Sequence, residues 1–465
     1  MNCLKPYEPN PDPACDVLVV GAGTAGFAAA ITAARAGLSV QLIEAGTKVG
    51  GVMAFCPGMP WGGGFPLGRS IGGIFSELTA RLTAMSPPAA EVRLCALENF
   101  GPEVQYDHEL ATLAMFEMLS EAGVCLHLGC LVGSPKMLDQ KIANVACTDR
   151  RGQFNIRPRL VIDCSGDGDI SARAGVPYTV GDNAGNMMAV TLSFHMNGAE
   201  VDRVFADGDP YFRSYAAEGV AQGRLHPDLS KLYLMRGFHP GSVFCNTVTI
   251  RGVDGTSPDA VARATQEGRR RCAQVARFLI DSVPGFERAQ MWGVGPTVGV
   301  RETRKLEAMY RLTGEDLAQS KRFDDGIVAC DNPIDDVMRA TAEMTHDAAV
   351  ARGDYYTIPL RTLIPRRIEN LLFAGRLISA DPVAFASVWG MPQCMAMGQA
   401  CGVAAALTLA KGCAVQDVNA AAVVATLQAQ GLRGIGGQNL ADHMPVALGT
   451  VCTSDTSGMQ AVSRV

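Results

Sequence analysis

Apolar positions in this chain recur with two periods, and each change of period marks an element. Val17–Val20 is an unbroken apolar run of strand length, followed by the glycine-rich Gly21–Gly26 and an alanine-rich helix over about Thr24–Ala36. A second apolar run, Ser39–Ile43, completes a strand–helix–strand unit. Helical spacing returns at Ile74–Met85 and at Asp107–Ala122, where Leu110, Leu113, Phe116 and Leu119 mark the expected buried face. Strands are then expected at Val124–Leu128, Lys141–Thr148, Gln153–Ile156 and Leu160–Asp163, with a short helix at Ile170–Ala174. Further on, strands at Met188–Met196 and Ser242–Arg251 accompany helices at Pro258–Leu279 and Thr303–Tyr310. The chain closes with Tyr356–Leu363, strand Leu371–Ala374, helix Met391–Leu409 with Pro392 in its first turn, helix Val415–Gln430 and a weakly patterned tail.

This order predicts an α/β protein: a Rossmann-like dinucleotide domain interrupted by an α+β insertion. Residues 12–180 form its first part, 181–355 the inserted substrate domain, 356–412 its second part, and 413–465 a C-terminal helix and tail. Val383–Ala410 is free of charge, but its glycines, Pro392, Gln393 and Gln399 make it a buried core helix and not a membrane span.

Composition narrows the class. With 465 residues, 48% apolar and 18% charged, the chain can bury a large core, and 51 glycines imply many close backbone approaches. The net charge of −6, with no basic tract, argues against nucleic acid as a partner. Met1–Pro13 has neither an apolar core nor a twin arginine, so no export signal is expected. Together with 15 cysteines lacking CxxC pairs, this points to reduced thiols and a cytoplasmic location. Neither the cysteines nor the seven histidines fall at metal-ligand spacing.

The chemistry starts at Gly21-Ala-Gly23-Thr24-Ala25-Gly26, which follows a strand and opens a helix. Gly21 permits the tight turn, Gly23 lets the backbone approach a pyrophosphate, and Gly26 lets helix and strand close up. Glu44 ends the next strand 18 residues past Gly26, where an acid takes the ribose hydroxyls. The strand Leu160–Asp163 runs into Cys164-Ser165-Gly166-Asp167-Gly168-Asp169, small residues suited to closing the sheet beside a cofactor.

These segments, with Lys48-Val-Gly50-Gly51, Gly299–Leu317 and the pair Ile358–Ala380 and Met391–Leu407, resemble an FAD-dependent oxidoreductase of the two-dinucleotide-binding-fold group. The branch they resemble lies near fumarate reductase and heterodisulfide reductase flavin subunits. The resemblance implies a glutathione reductase-type FAD-binding domain. The ADP half would lie on Gly21, Gly23, Thr24, Ala25 and Gly26, with Glu44 and Ala45 at the ribose. Gly50 and Gly51 would pass beside the cofactor, and Ser165, Gly166 and Asp167 would close the adenine side. Gly375 and Arg376 would return at the pyrophosphate, and the helix opening at Met391 and Cys394 would aim its N-terminus at the flavin pyrimidine edge.

On the substrate side, candidates are His239, Arg301, Arg304 and Trp389, beside Glu302, Arg361 and His195. Arg301 and Arg304 share a face if Thr303–Tyr310 is helical, and either hold an anionic substrate or make structural ion pairs. Cys56 is either a thiol at the flavin, even a covalent tether, or an inert buried cysteine. Two positions depart from the family: Ile334-Asp-Asp-Val337 lacks an expected histidine, and Ser387-Val-Trp389-Gly-Met-Pro392 has tryptophan for arginine. Trp389 offers a flat apolar face to an aromatic substrate or packs in the core. The activity implied is hydride transfer between a small organic substrate and flavin N5. The alternatives are a flavin monooxygenase and a flavin-bearing electron-transfer subunit. The electron partner is left open, no membrane partner is expected, and a homo-oligomer is possible.

Overall fold

The computed structural model describes residues 13–448 except 57, 98 and 340–343. The proline-rich start and the end of the tail lie outside the described residues. A seven-stranded sheet forms the centre, in the order Cys125–Leu128, Val40–Glu44, Ala14–Val20, Gly152–Asp163, Lys141–Asp149 and Leu131–Leu138, with Leu371–Phe373 also on Gly152–Asp163. The first four strands and Leu371–Phe373 run parallel, with Val17 opposite both Val40 and Leu160. The apolar runs Val17–Val20, Val40–Ile43, Leu160–Ile162 and Leu371–Phe373 are buried on both faces, as a parallel sheet between helices requires, while Cys125–Leu128 is partly exposed. The fold is mixed α/β with this Rossmann-like sheet.

Gly152–Asp163 is one strand of 12 residues where the sequence suggests two. Its first half pairs antiparallel with Lys141–Asp149 and its second half parallel with Ala14–Val20. Leu131–Leu138, not anticipated because Gly133 and Pro135 resemble turn signals, forms the sheet edge, where proline is tolerated. Two helices lie together on this sheet: Thr24–Arg35 and the 21-residue Met391–Lys411. A Cβ on Gly398 would lie 1.9 Å from Ala25 O, and one on Gly402 would lie 2.8 Å from Ala29 O, so these glycines set the close crossing. Met391–Lys411 is long and apolar enough to cross a membrane, but 78% of its most apolar window is buried inside the protein.

A second sheet, in the order Leu234–Arg236, Ser242–Ile250, Val190–Asn197 and Gln290–Trp292, is antiparallel. Helix Pro258–Ser282 covers it, capped by Ser257, whose side chain accepts from Ala260 N, and burying Cys272, Val275 and Leu279 against Leu192 and Cys245.

Three sequence expectations change. Thr303–Tyr310 is not a helix: Arg304–Leu306 is a strand antiparallel to Tyr178–Val180, with Arg304 opposite Val180. Leu113 is 48% exposed; the expected Leu119 is buried, together with Ala111, Met115 and Met118, on helix His108–Glu121. Val415–Gln430 divides into a single turn at Val415–Asp417 and a helix at Ala420–Ala429, capped by Asn419.

Candidate active site and cofactor cradle

The strand end at Val20 and the helix start at Thr24 leave a turn whose glycines do different work. Gly21 sits at φ +92°, and a Cβ there would come within 2.4 Å of Cys164 O. A Cβ on Gly26 would come within 1.8 Å of Gly21 O. Both glycines therefore serve backbone packing. Gly23 differs: the nearest atom to its Cβ position is Gly51 Cα at 3.9 Å, so the face above it is open. Gly50 N donates to Ala22 O at 2.8 Å, and Gly51, at φ +55°, lies alongside Gly23. This is the shape a pyrophosphate requires: backbone N–H groups at a helix N-terminus with nothing above them. Glu44 stands at the edge of the cradle, its carboxylate accepting from Ala22 N and Gly46 N, each at 2.7 Å. Ala45 beside it is exposed.

Distant segments close around this turn. Asp163, fully buried, accepts from Ser165 N and Oγ and from Ser171 N and Oγ. Burial pushes its carboxyl up, against those four bonds. Asp167 accepts from Arg376 Nη2 and Thr303 Oγ1, each at 2.9 Å. A Cβ on Gly166 would lie 2.7 Å from Arg376 Nε, and Gly375, at φ +87°, places Ala25 and Cys394 at its own Cβ position. Cys394 is buried against Trp389 O, and burial pushes its thiol up to about 12. Met391 opens its helix behind Gly390, with no side-chain cap on the first-turn N–H groups. The expected cofactor residues from the turn, from Ser165–Asp167 and from Gly375–Cys394 are thus neighbours in space.

The two arginines part company. Arg304 Nη1 donates to Asp167 O at 2.7 Å and Asp169 Oδ1 at 3.1 Å, which makes it a brace of the cofactor-side loop. Glu302 turns away from both: with Lys305 and Arg339 it forms a buried ion triad that also holds Gly181 O, Asn186 O and Met188 N. Burial pushes the Lys305 ammonium down. Arg301 is in another situation. Its Nη1 donates to Ala189 O at 2.8 Å and Thr191 Oγ1 at 2.7 Å, while Nε and Nη2 make no hydrogen bond among the described residues. Burial pushes this guanidinium down, with the charge of Asp335 acting against that shift. Cys56 lies 2.9 Å from Ser193 Oγ, its thiol pushed up to about 11 by burial and so protonated at neutral pH.

The remaining candidates separate. His239 is 59% exposed and faces Asp107 Oδ2 at 3.3 Å, on the N-cap of helix His108–Glu121. Trp389 ends helix Pro382–Val388, half-buried against the main core. His195 stacks near Phe244 with ring centres 5.2 Å apart. Among the described residues no group of three or more His, Cys, Asp or Glu is placed to hold a metal ion. Two residues escaped the sequence reading. Gln393 and Asn332 are buried amides near the start of the Met391 helix; Gln393 is a polar letter in an apolar stretch, and Asn332 stands in the turn-like Asp331-Asn332-Pro333.

A family model for FAD dependent oxidoreductases matches residues 16–430. The chain belongs to that family. Its cofactor is FAD, and Gly23 and its open face fit that group. Relatives include a 4-oxocyclohex-2-ene-1-carboxylate 5-dehydrogenase of Sinomonas cyclohexanicum, 43% identical over 74 residues, 16% of this chain and 12% of the relative. Another is digeranylgeranylglycerophospholipid reductase 1 of Methanococcoides burtonii, 27% identical over 194 residues, 40% of this chain and 46% of the relative. The chain thus spans less than half the length of each. A geranylgeranyl bacteriochlorophyll reductase-like structure from Thermoplasma acidophilum aligns with TM-score 0.48 and 13% identity, covering 90% of this chain and 82% of that one. L-proline dehydrogenase of P. horikoshii aligns at 0.46 and 13%, covering 87% and 95%.

Proposed function

We propose that this FAD-dependent oxidoreductase transfers a hydride between a small organic anion and flavin N5, with Arg301 as the anchor of the anion. Bound FAD supplies the hydride chemistry. The chain supplies binding, orientation and charge. Gly23, Gly50 and Gly51 hold the pyrophosphate, Glu44 the ribose, and Arg376 with Asp167 the loop over the cofactor. The uncapped Met391 helix end places N–H groups where negative charge develops on the reduced ring. Residues 181–355 are read as the substrate wall, and Trp389 as a flat apolar surface at its border with the cofactor domain.

The observation that carries this reading is Arg301. It is a largely buried guanidinium with one nitrogen fixed on main chain and hydroxyl and the rest of its fork without a hydrogen bond. Such a fork matches a carboxylate, which it binds through two parallel bonds. The name of the Sinomonas relative, a dehydrogenase of a cyclohexene carboxylate, supports the same substrate class. His239, exposed on Asp107, has no part in this reading. Arg301→Ala is expected to remove about 1.5–3 kcal/mol of binding, roughly 10- to 150-fold in kcat/KM. The assay is anaerobic bleaching of the flavin by a panel of small carboxylates, amines and alcohols. Bleaching by uncharged compounds alone, or loss of FAD from Arg301→Ala, would refute the assignment.

A further inference from the structure

A cavity of about 140 Å³ lies beside strand Arg304–Leu306, and none of its lining residues is assigned above to FAD or to the substrate anion. An arch in the chain makes it. Leu306 N donates to Leu377 O at 3.1 Å and Leu312 N to Ser379 O at 3.0 Å. The two acceptors are two positions apart (379 − 377) and the two donors six (312 − 306), so the surplus chain bows outward. Met309 N and Tyr310 N hold the arch to Ile364 O and Arg361 O, on the side away from Ser379. The cavity left between the arch and Ser379 has room for several waters or for an anion the size of phosphate.

Its polar lining is short of partners. Ser379 is 3% exposed, and both its main-chain groups are bonded, N to Thr362 O and O to Leu312 N. Its hydroxyl lines the cavity without a partner among the described residues, and protein atoms do not seal it off. Arg311 makes no hydrogen bond and no ion pair among the described residues, and Arg366 makes one bond, from Nη2 to Met309 O at 3.3 Å. Lys305 is 2% exposed and commits two of its three N–H groups, to Gly181 O and to Glu302. Burial lowers the Lys305 ammonium, and the charge of Arg311 pushes it the same way, so like charges face each other here. Glu307 also lines the cavity, exposed and paired with neither arginine.

We propose that this cavity binds a phosphate group, either free or on a small ester. The forks of Arg311 and Arg366 offer paired N–H donors, the hydroxyls of Ser379 and Thr179 donate, and the third N–H of Lys305 adds a charged contact. These donors come from the strand, the arch, the Ser379 segment and the Arg366 loop. A tetrahedral dianion presents oxygens to all of them, whereas a carboxylate presents two in one plane and a single charge. Two arginines without an ion partner supply the charge a dianion requires, and Glu307 opposes it and limits the affinity. The site is separate from Arg301, whose guanidinium is fixed on Ala189 O and Thr191 Oγ1.

The test is titration calorimetry of the FAD-loaded full chain with inorganic phosphate, and with methyl phosphate as a second probe, at constant ionic strength so that screening does not contribute. Wild-type protein is expected to bind at one site. Arg311→Met and Ser379→Ala break no bond among the described residues and are expected to weaken binding about tenfold and about fivefold. Glu307→Gln is expected to tighten it, and Arg301→Ala to leave it unchanged. Methyl phosphate binding as well as inorganic phosphate identifies an ester as the ligand, and its rejection identifies free phosphate; both uphold the site. Wild-type protein that binds neither probe would overturn the proposal. So would an affinity that survives both Arg311→Met and Ser379→Ala, or one that falls only in Arg301→Ala.

Discussion

Asp331 gives the sharpest test of the electrostatics. Its carboxylate accepts the Leu67 N–H at 2.9 Å, and no cation pairs with it among the described residues. Burial pushes its pKa from 3.8 up to about 6. A carboxyl with a raised folded pKa holds its proton more tightly in the folded state. Between pH 3.8 and about 6 the unfolded chain has ionised while the folded one has not, so stability falls as pH rises through that window. Above pH 6 the penalty is complete, about 3 kcal/mol; near pH 5 it is about half that, and below pH 4 it vanishes. Asp331→Asn keeps an acceptor for Leu67 N and removes the charge. The variant is expected to gain about 3 kcal/mol at pH 7.5 and about half as much at pH 5, read from urea midpoints at unchanged slope. Using the difference between variant and wild type at each pH cancels every other titrating group. A gain independent of pH, or a loss at pH 7.5, would refute the reasoning, because either means that the folded protein stabilises the anion.

Gly23→Val places its side chain in open space and is expected to leave the apo-protein's melting unchanged while abolishing the flavin absorbance. Gly21→Val, directed at Cys164 O, is expected to prevent folding, as read by circular dichroism. Lys305→Met leaves Glu302 with Arg339 as its remaining ion partner and should lower stability by about 3–5 kcal/mol in urea unfolding; adding Glu302→Gln should recover part of that loss.

What could be read in the sequence was what is local. The turn Gly21–Gly26, Glu44 and the strands on either side depend on neighbours within a few dozen residues, and they appear where the pattern places them. Arg304–Leu306 depends on Tyr178–Val180, far away in the chain, and that pairing overrides the helical look of a charged segment. Of Leu110, Leu113, Phe116 and Leu119, only Leu113 fails to pack, for a geometric reason. A repeat of exactly three drifts around a helix of 3.6 residues per turn, so Leu113 leaves the face that Met115 and Met118 keep. Gln393 counted only as a polar interruption of an apolar stretch. The same residue, fully buried, requires a partner, and only coordinates show that its oxygen lacks one.

A cofactor site and a packed core use the same residue types, and unused bonding capacity separates them. Gly21, Gly26, Gly398 and Gly402 are glycines because protein backbone occupies the place of a side chain; Gly23 is a glycine with nothing there. Arg304 is committed to Asp167 and Asp169, whereas part of the Arg301 fork has no acceptor. Bare buried amide oxygens are not selective in the same way, since Gln41, Asn246 and Gln438 keep one as well as Gln393 and Asn332. Each of these costs folding free energy that ordinary packing would avoid. Under the proposed function the open backbone face at Gly23 takes a phosphate and the Arg301 fork a carboxylate. In that reading the glycine holds one end of the flavin cofactor and the arginine the anion it acts on, which is why these two positions, and not their packed counterparts, are proposed for function.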